Sequence, residues 1–359
     1  MLLLVPFFEV AVDSAAGQPV IPKFVFSPWV KFCPTGGDEN GKPVCQTTIV
    51  GHAGSGPAIV AAILNEPKGS ANKILRVVVP IGNQIPAGTR LIVDDGQPVS
   101  APYIGCFSKG CMADYEASAE LMDRLRHGQS LLVQVMDSKG QQVSLNLPLA
   151  DFARAISGPQ STDAKLFREL KERLPQRGTQ APGEIPLKQK KGQQLVYSPW
   201  TKFCLKGDGQ AGQVCFTGKD GRFGTGPVVI GAVLIEPQTD AKKSLRVTVP
   251  LGMEMPQGTR VIVDDKEPMT APYVICFSQG CMADYEANDE LIGRLRMGKG
   301  LTVQGINSKG QAVSLILPLA DFAKAYDNPP IDSTEFEERQ RELQEQLKKG
   351  TGDKGKEGY

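Results

Sequence analysis

Histidine is almost absent from this 359-residue chain: only His52 and His127 occur, and the second half has neither. Because imidazole is the side chain most often used as a general base near neutral pH, chemistry shared by both halves would have to proceed without it. The sequence also lacks G-x-S-x-G, H-E-x-x-H and any other recognisable nucleophile–base pairing. It therefore predicts no catalytic residues, no cofactor and a protein that is not an enzyme.

A surplus of basic residues is also missing, since 40 Lys and Arg face 39 Asp and Glu for a net charge of +1. Binding to nucleic acid depends on neutralising phosphates, so nucleic acid is excluded as an expected partner. No apolar run reaches the roughly 18 residues that a transmembrane helix needs. We expect the mature protein to be soluble or peripherally attached to a membrane.

The N-terminal segment, 1–23, has part of the pattern of an export signal. It opens with the short apolar run "MLLLVPFF" and reaches small residues at Ser14, Ala15 and Ala16, which resemble a cleavage site. A positively charged start is missing and Glu9 interrupts the apolar stretch. We interpret the segment as a truncated signal peptide, and the alternative is a buried N-terminal strand.

The chain is a tandem duplication of one whole domain. "SPWVKFC" at Ser27–Cys33 returns as "SPWTKFC" at Ser198–Cys204, and "CFSKGCMADYEA" at Cys106–Ala117 returns as "CFSQGCMADYEA" at Cys276–Ala287. The offset is 171 residues at first and 170 afterwards. This is the pattern of two repeated domains with one small insertion or deletion, and it is not that of a short-period solenoid.

Each copy is predicted to be mainly β. Short runs rich in Val, Ile and Leu are separated by Gly, Pro, Asn and Asp, which favours a β-sandwich or barrel-like domain. In the first copy these runs are Ala58–Leu64, Ile74–Val79, Arg90–Val93, Pro102–Phe107, Leu131–Met136 and Gln142–Leu147.

Short helices interrupt the strand pattern. Ser118 is a predicted N-cap, Leu121 and Leu125 form an apolar face with Met122, and Gly128 is placed as the C-terminal glycine. Asn288 and Gly298 keep the two capping roles in the second copy. A second short helix is predicted to begin near Leu149 and near Leu319.

The remaining segments join or follow the copies. Ser161–Leu174 is predicted to be an amphipathic helix before a polar linker. The charged stretch after Asp332 is interpreted as a solvated helix with a frayed end, the alternative being a helix that docks on a partner. The predicted division is an N-terminal segment at 1–23, a first domain at 24–157, a helix and linker at 158–195, a second domain at 196–327, and a helical or disordered tail at 328–359.

Eight cysteines divide equally between the copies: Cys33, Cys45, Cys106, Cys111, Cys204, Cys215, Cys276 and Cys281. Four cysteines permit three connectivities, and proximity favours the first with the second and the third with the fourth in each copy. An even count is typical of structural disulfides and an oxidising compartment. The alternatives are a four-cysteine zinc site in each copy and a thiol–disulfide exchange site.

Acidic residues and tryptophans receive structural interpretations. Asp94, Asp95, Asp114 and Glu116, with their second-copy equivalents, could form paired carboxylates or a calcium site, but their setting favours turns and caps. The two tryptophans, Trp29 and Trp200, are predicted to anchor the cores near a cysteine bridge. The alternative is an exposed ring that contacts a ligand.

The ordered motifs W-x-x-x-C, "LRVxVPxG", "VDD", C-x-x-x-G-C and "LPLxDFxxA" resemble the bacterial invasion-associated locus B family. The resemblance covers Ser27–Ala155 and Ser198–Ala325. It implies a periplasmic, secreted or outer-membrane-associated β protein of a Gram-negative bacterium, linked in some relatives to host-cell invasion and virulence. It implies no catalytic residues. Family members are typically single-domain, so the tandem arrangement departs from the usual form.

The resulting prediction is an exported, disulfide-stabilised, non-enzymatic binding or structural module of the bacterial envelope, with a role in host interaction. Its partner, a protein or another envelope component, is not identified by the sequence. The alternative prediction is a thiol–disulfide redox protein or a metal-binding protein with four cysteine ligands.

Overall fold

The computed structural model describes residues 24–33, 44–53, 58–174, 195–206, 212–223, 226–238, 242–332 and 341. The predicted signal segment, the polar linker and nearly all of the tail after Asp332 lie outside these residues. Within the described part of the chain, no helix is both long enough and apolar enough to span a bilayer.

Two antiparallel sheets form the first copy. The larger has seven strands in the order β1-β3-β4-β5-β9-β8, with β2 also paired with β3, and the smaller has the order β11-β10-β6-β7. The elements are β1 Phe24–Phe26, β2 Val30–Phe32, β3 Val44–Ala53, β4 Ala58–Pro67, β5 Ile74–Val79, the 3-10 helix η1 Ile85–Ala87, β6 Thr89–Val93, β7 Val99–Ala101, β8 Tyr103–Phe107, β9 Gly110–Glu116, α1 Ala119–His127, β10 Ser130–Met136, β11 Gln142–Pro148, α2 Phe152–Ser157 and α3 Ala164–Arg173.

The second copy repeats this topology. Its larger sheet has the order β12-β14-β15-β16-β20-β19, with β13 paired with β14, and its smaller sheet the order β18-β17-β21-β22. The elements are β12 Leu195–Tyr197, β13 Thr201–Lys206, β14 Gln213–Phe223, β15 Val228–Pro237, β16 Ser244–Val249, η2 Met255–Gln257, β17 Thr259–Val263, β18 Met269–Ala271, β19 Tyr273–Phe277, β20 Gly280–Glu286, α4 Asp289–Met297, β21 Gly300–Ile306, β22 Ala312–Pro318 and α5 Phe322–Asp327. The prediction of a mainly β chain with two sandwich domains is confirmed.

Alternation along the strands explains the layers. In β4, Val60, Ala62 and Leu64 belong to the main core between the two sheets, whereas Ala61 and Ile63 belong to a second buried cluster on the opposite face. Successive side chains of a strand point to opposite faces, so this strand is buried on both sides. We call the face turned away from the smaller sheet the outer face.

Helix α1 and its N-cap Ser118 were predicted correctly, but the conformation of Gly128 was not. The Leu121 N–H donates to Ser118 Oγ, and Leu121 and Leu125 are buried. Gly128 follows the helix with φ −73°, so it is not in the left-handed conformation of a C′ glycine. A Cβ atom there would lie 2.6 Å from Val93 Cγ1, so close packing is what excludes a side chain.

The other helices begin later than predicted. α2 begins at Phe152, three residues after Leu149, because Asp151 takes a left-handed conformation with φ 67°. α3 begins at Ala164, where the Asp163 carboxylate accepts hydrogen bonds from the backbone of Lys165 and Leu166. An Asp side chain in this position satisfies the free N–H groups of the first turn.

The two copies pack against each other through a reciprocal interface. The Gly82 N–H donates to the Cys276 carbonyl at 2.8 Å, and the equivalent Gly252 N–H donates to the Cys106 carbonyl at 2.7 Å. Two β-bridges repeat the same reciprocity, Gln84 with Ile275 and Glu254 with Gly105. Both glycines have positive φ, 99° and 88°, a conformation that favours glycine. We call these eight residues the inter-copy interface.

Candidate functional site

The eight cysteines form four disulfides, each between neighbouring strands or their ends: Cys33–Cys45, Cys106–Cys111, Cys204–Cys215 and Cys276–Cys281. The last three join residues that lie directly opposite each other in antiparallel pairs. They close short loops, so each contributes about 2 to 3 kcal/mol on the chain-entropy account. Each disulfide therefore cross-links two strands that backbone hydrogen bonds already pair.

The two interface disulfides are inaccessible to solvent. Cys106, Cys111, Cys276 and Cys281 are each 0% exposed. Thiol–disulfide exchange requires an attacking thiolate to reach a sulfur atom. In this conformation, the burial disfavours a redox role for these two disulfides.

Three sulfur atoms from the two copies meet at the inter-copy interface. The sulfurs of Cys106, Cys276 and Cys281 all lie within 4.8 Å of one another. A cysteine ligand binds zinc as a thiolate, and each of these sulfurs is instead part of a disulfide. The three sulfur atoms therefore do not fit a metal ion while they are oxidised. The cluster also spans both copies, whereas the zinc alternative predicted a separate site in each copy.

The candidate carboxylates serve separate structural purposes. Asp94 accepts hydrogen bonds from the backbone N–H groups of Gln129 and Ser130, and Asp264 repeats this with Lys299 and Gly300. Asp114 forms a bidentate ion pair with Arg76 across the strand pair β5 and β9, and Asp284 does so with Arg246. Asp95 and Glu116, with their equivalents Asp265 and Glu286, are exposed. These contacts support a turn role for Asp94 and Asp264, whereas Asp114 and Asp284 lie within strands and form ion pairs there.

Both tryptophans lie in the cores. Trp29 is 5% exposed, donates from Nε1 to the Pro148 carbonyl at 2.8 Å and packs edge-on against Phe152. Trp200 repeats this arrangement with Pro318 and Phe322. Each tryptophan therefore ties the start of its copy to the short helix at its end, and neither presents an exposed ring.

A cleft that the sequence interpretation missed lies on the outer face of the second copy. It has a volume of about 240 Å³. We call it the second-copy groove. Its lining includes Thr201, Phe203, Gly218, Lys219, Asp220, Gly231, Val233, Thr248, Gln279 and Met282.

Lys219 contributes to the edge of this groove, but its half-buried side chain lies on the opposite face of the sheet, on the side of the main core. Its ammonium group lies over the rings of Tyr197 and Trp200, at 5.9 and 5.8 Å from their centroids. Burial lowers the pKa of Lys219, and the nearby charge of Asp321 opposes that shift. Asp220 is paired with Arg222 at 2.8 Å. The groove thus combines a largely apolar lining with one ion-paired carboxylate, that of Asp220.

The signal for this groove was present in the comparison of the two copies. At the repeat offset, Thr201, Asp220 and Thr248 occupy the positions of Val30, Val50 and Val78. Gly218 and Gly231 likewise replace Thr48 and Ala61. These substitutions make the outer face of the second copy more polar and remove side-chain volume, and sequence reasoning that compared only matching motifs passed over them.

Comparison with known proteins gives one family and several similar solved structures, one of which comes from Bartonella henselae. The family model described as "Invasion associated locus B (IalB) protein" matches residues 29–160 and 200–330. The crystal structure of invasion associated protein B from Bartonella henselae is similar, with 22% sequence identity and a TM-score of 0.33, over 37% of this chain and 90% of that one. No curated protein matches the chain.

Proposed function

Because the chain belongs to the invasion-associated locus B family, we propose that it is an exported, non-enzymatic binding or structural module of the bacterial envelope. The two modules would span residues 24–157 and 196–327, with the copies held together by the inter-copy interface. The compartment would be the periplasm, the outer membrane surface or the medium, and the role would be contact with a host or envelope component.

The four disulfides carry this proposal. All eight cysteines are paired, two disulfides fall in each copy, and both interface disulfides are fully buried. Such a framework is stable in an oxidising compartment, whereas cytosolic thiols are kept reduced. The absence of histidine from the second half and the structural roles of its carboxylates favour binding over catalysis.

The first test is the intact mass of the protein isolated from its native host and fractionated by compartment. The denatured protein is treated with a thiol-alkylating reagent, with and without prior reduction. We expect no alkylation before reduction, eight modified cysteines after it, and recovery in the periplasmic, membrane or secreted fraction. Eight thiols already free in the native protein would contradict export.

A second measurement separates the structural proposal from the redox and metal alternatives. Wild-type protein is assayed for disulfide reductase activity and for bound zinc, alongside the double variant Cys276→Ser, Cys281→Ser. We expect no activity and no zinc in either protein, together with a lower unfolding midpoint for the variant. Reductase activity or stoichiometric zinc that disappears in the variant would replace the proposal with the corresponding alternative.

A further inference from the structure

Three cations surround one tyrosine at the end of the second copy. The ammonium groups of Lys202 and Lys243 lie 5.4 and 5.6 Å from the centroid of the Tyr326 ring, and the guanidinium carbon of Arg296 lies 5.8 Å from it. Lys202 also donates a hydrogen bond to the Tyr326 carbonyl at 2.8 Å. The electron-rich face of an aromatic ring attracts cations, so helix α5 holds these three side chains together.

The second copy supplies its own carboxylates to two of these cations. Lys243 pairs with Glu236 at 3.1 Å, and Arg296 of α4 pairs with Asp327, the last residue of α5, at 2.6 Å. The Asp327 side chain is about half exposed. The pair between Arg296 and Asp327 therefore forms at the surface, where a carboxylate from outside the chain could also reach.

The first copy keeps the same three cations. At the repeat offset they are Lys31, Lys73 and Arg126, which we call the first-copy cationic cluster. Lys31 donates to the Ile156 carbonyl at 2.8 Å, and Lys73 pairs with Glu66 at 2.7 Å, as their equivalents do in the second copy. Arg126 lies in the last turn of α1, just as Arg296 does in α4. The cluster is therefore built in the same way in both copies.

The end of the neighbouring helix differs between the copies. Ile156 and Ser157 occupy the positions of Tyr326 and Asp327. Ser157 carries no charge, and within the part of the chain that the structure describes, Arg126 has no carboxylate partner. Arg126 and Ser157 are both exposed. The first copy thus has an arginine in the position where the second copy binds a carboxylate, but it lacks that carboxylate.

We propose that Arg126 and Lys31 bind a carboxylate of an acidic partner protein, in the place that Asp327 takes in the second copy. The planar guanidinium group presents paired N–H groups that match the two oxygens of a carboxylate. Lys31, held at the Ile156 carbonyl, adds a second positive charge. A single exposed ion pair contributes little to affinity, so this site is one contact within a larger surface. The proposal rests on the proposed binding role and names the chemistry of the partner.

Modification of arginine by phenylglyoxal tests the proposal on the full-length, oxidised chain, with acetate as the carboxylate probe. Modified positions are identified by peptide mass mapping. A guanidinium group paired with a carboxylate reacts more slowly, so we expect Arg126 to react several-fold faster than Arg296. Replacing chloride by acetate at constant ionic strength should slow the modification of Arg126 and leave that of Arg296 unchanged.

Two exchanged variants provide matched controls. Ser157→Asp should lower the Arg126 rate toward that of Arg296 and abolish the effect of acetate on Arg126. Asp327→Ser should raise the Arg296 rate and make it sensitive to acetate. Arg90, an exposed arginine on β6 of the smaller sheet, should react at the same rate in all three proteins.

Several outcomes would overturn the proposal. Acetate protection of Arg126 no greater than that of Arg90, or protection that persists in Ser157→Asp, would show that no carboxylate site exists. Protection by inorganic phosphate and not by acetate would overturn the assignment to a carboxylate. None of these outcomes affects the alkylation result that tests export, so the two proposals fail separately.

Discussion

Four buried tyrosines divide into two equivalent pairs with different hydrogen bonding. Among the described residues, the hydroxyl groups of Tyr103 and Tyr273 have no hydrogen-bond partner. Those of Tyr115 and Tyr285 lie 2.6 and 2.7 Å from the hydroxyl groups of Thr89 and Thr259. A buried hydroxyl without a partner costs free energy, whereas a paired one contributes modestly to stability. The same residue type should therefore respond in opposite ways to loss of its hydroxyl group.

We expect Tyr103→Phe to leave the free energy of unfolding unchanged or to raise it by about 1 kcal/mol, because it removes an unpaired buried hydroxyl. Tyr115→Phe should lower it by about 1 kcal/mol, because the buried hydrogen bond between the Tyr115 and Thr89 hydroxyl groups is lost. Urea unfolding of both variants under non-reducing conditions measures the difference. Equal destabilisation by the two substitutions would show that the Tyr103 hydroxyl is satisfied in solution.

Tyr115 and Tyr285 also make the free energy of unfolding depend on pH in the alkaline range. Burial raises the pKa of Tyr115 and of Tyr285 to about 12, with the hydrogen bonds to Thr89 and Thr259 opposing the shift. The ordinary value is about 10. Below pH 10 the folded and unfolded states are both protonated, so the full contribution is present. Above pH 10 the unfolded chain loses protons first, and stability falls until the folded pKa is passed.

The corresponding measurement is the urea midpoint across this alkaline range, in wild type and in the double variant Tyr115→Phe, Tyr285→Phe. The wild-type midpoint should decline between pH 10 and 12, and the double variant should decline less steeply. Parallel pH profiles for the two proteins would mean that other groups cause the decline.

Helix α4 contains a glycine, Gly293, at the position that Asp123 occupies in the equivalent helix α1. Gly293 lies inside α4, and a Cβ atom added there would meet nothing within 4 Å. Because glycine is less favourable than alanine in a helix interior, we expect Gly293→Ala to stabilise the protein by about 0.5 to 1 kcal/mol. Thermal unfolding monitored by circular dichroism provides the measurement.

Gly298 at the end of the same helix is the matched control. A Cβ atom there would lie 2.6 Å from Val263 Cγ1 and 2.8 Å from the Arg294 carbonyl oxygen. Gly298→Ala should therefore lower the unfolding temperature, because the surrounding backbone would have to move. A rise with both substitutions would show that the end of α4 relaxes more easily than its packing indicates.

Sequence patterns predicted elements well where the pattern was local. All six predicted runs of the first copy overlap strands, and Ile74–Val79 has the same limits in the structure. β9, Gly110–Glu116, is not among the predicted strands, because the sequence favours turn and cap roles for Asp114 and Glu116. Asp114 is compatible with a strand because Arg76 pairs with it from β5. That partner is 38 residues away, so no local pattern could reveal it.

The candidate site was less predictable than the fold, for the same reason. The cysteines could be paired by proximity in sequence, but their meeting across the copies depends on how the two domains pack. The second-copy groove lies on the face that corresponds to the one beneath α3 in the first copy, and Thr201, Asp220 and Thr248 replace three valines there. Only a position-by-position comparison of the copies, together with the position of α3, makes it visible.

At the scale of the whole molecule, the copies resemble the subunits of a symmetric dimer. Equivalent groups form each contact in both directions, as an isologous interface requires. A single copy therefore carries both halves of the contact. We expect residues 24–174, produced alone under oxidising conditions, to form a dimer through Gly82 and Cys106.

Sedimentation of that fragment over a range of concentrations measures the association, and circular dichroism verifies that it has folded. A folded fragment that stays monomeric at every concentration would show that the interface depends on residues of the second copy. The full-length chain, in which the interface is already satisfied, should remain monomeric in the same experiment.

Covalent duplication gives the two sides of the inter-copy interface a freedom that identical subunits lack. Position 105 is glycine and its equivalent 275 is isoleucine, while position 84 is glutamine and its equivalent 254 is glutamate. The same bridge would join Gln84 to Gly105 in a homodimer of the first copy and Glu254 to Ile275 in a homodimer of the second, so the observed side-chain combinations arise only between the two copies. The single chain therefore pairs two different domains in a fixed one-to-one ratio. A substitution on one side of the interface can be matched by a different substitution on the other.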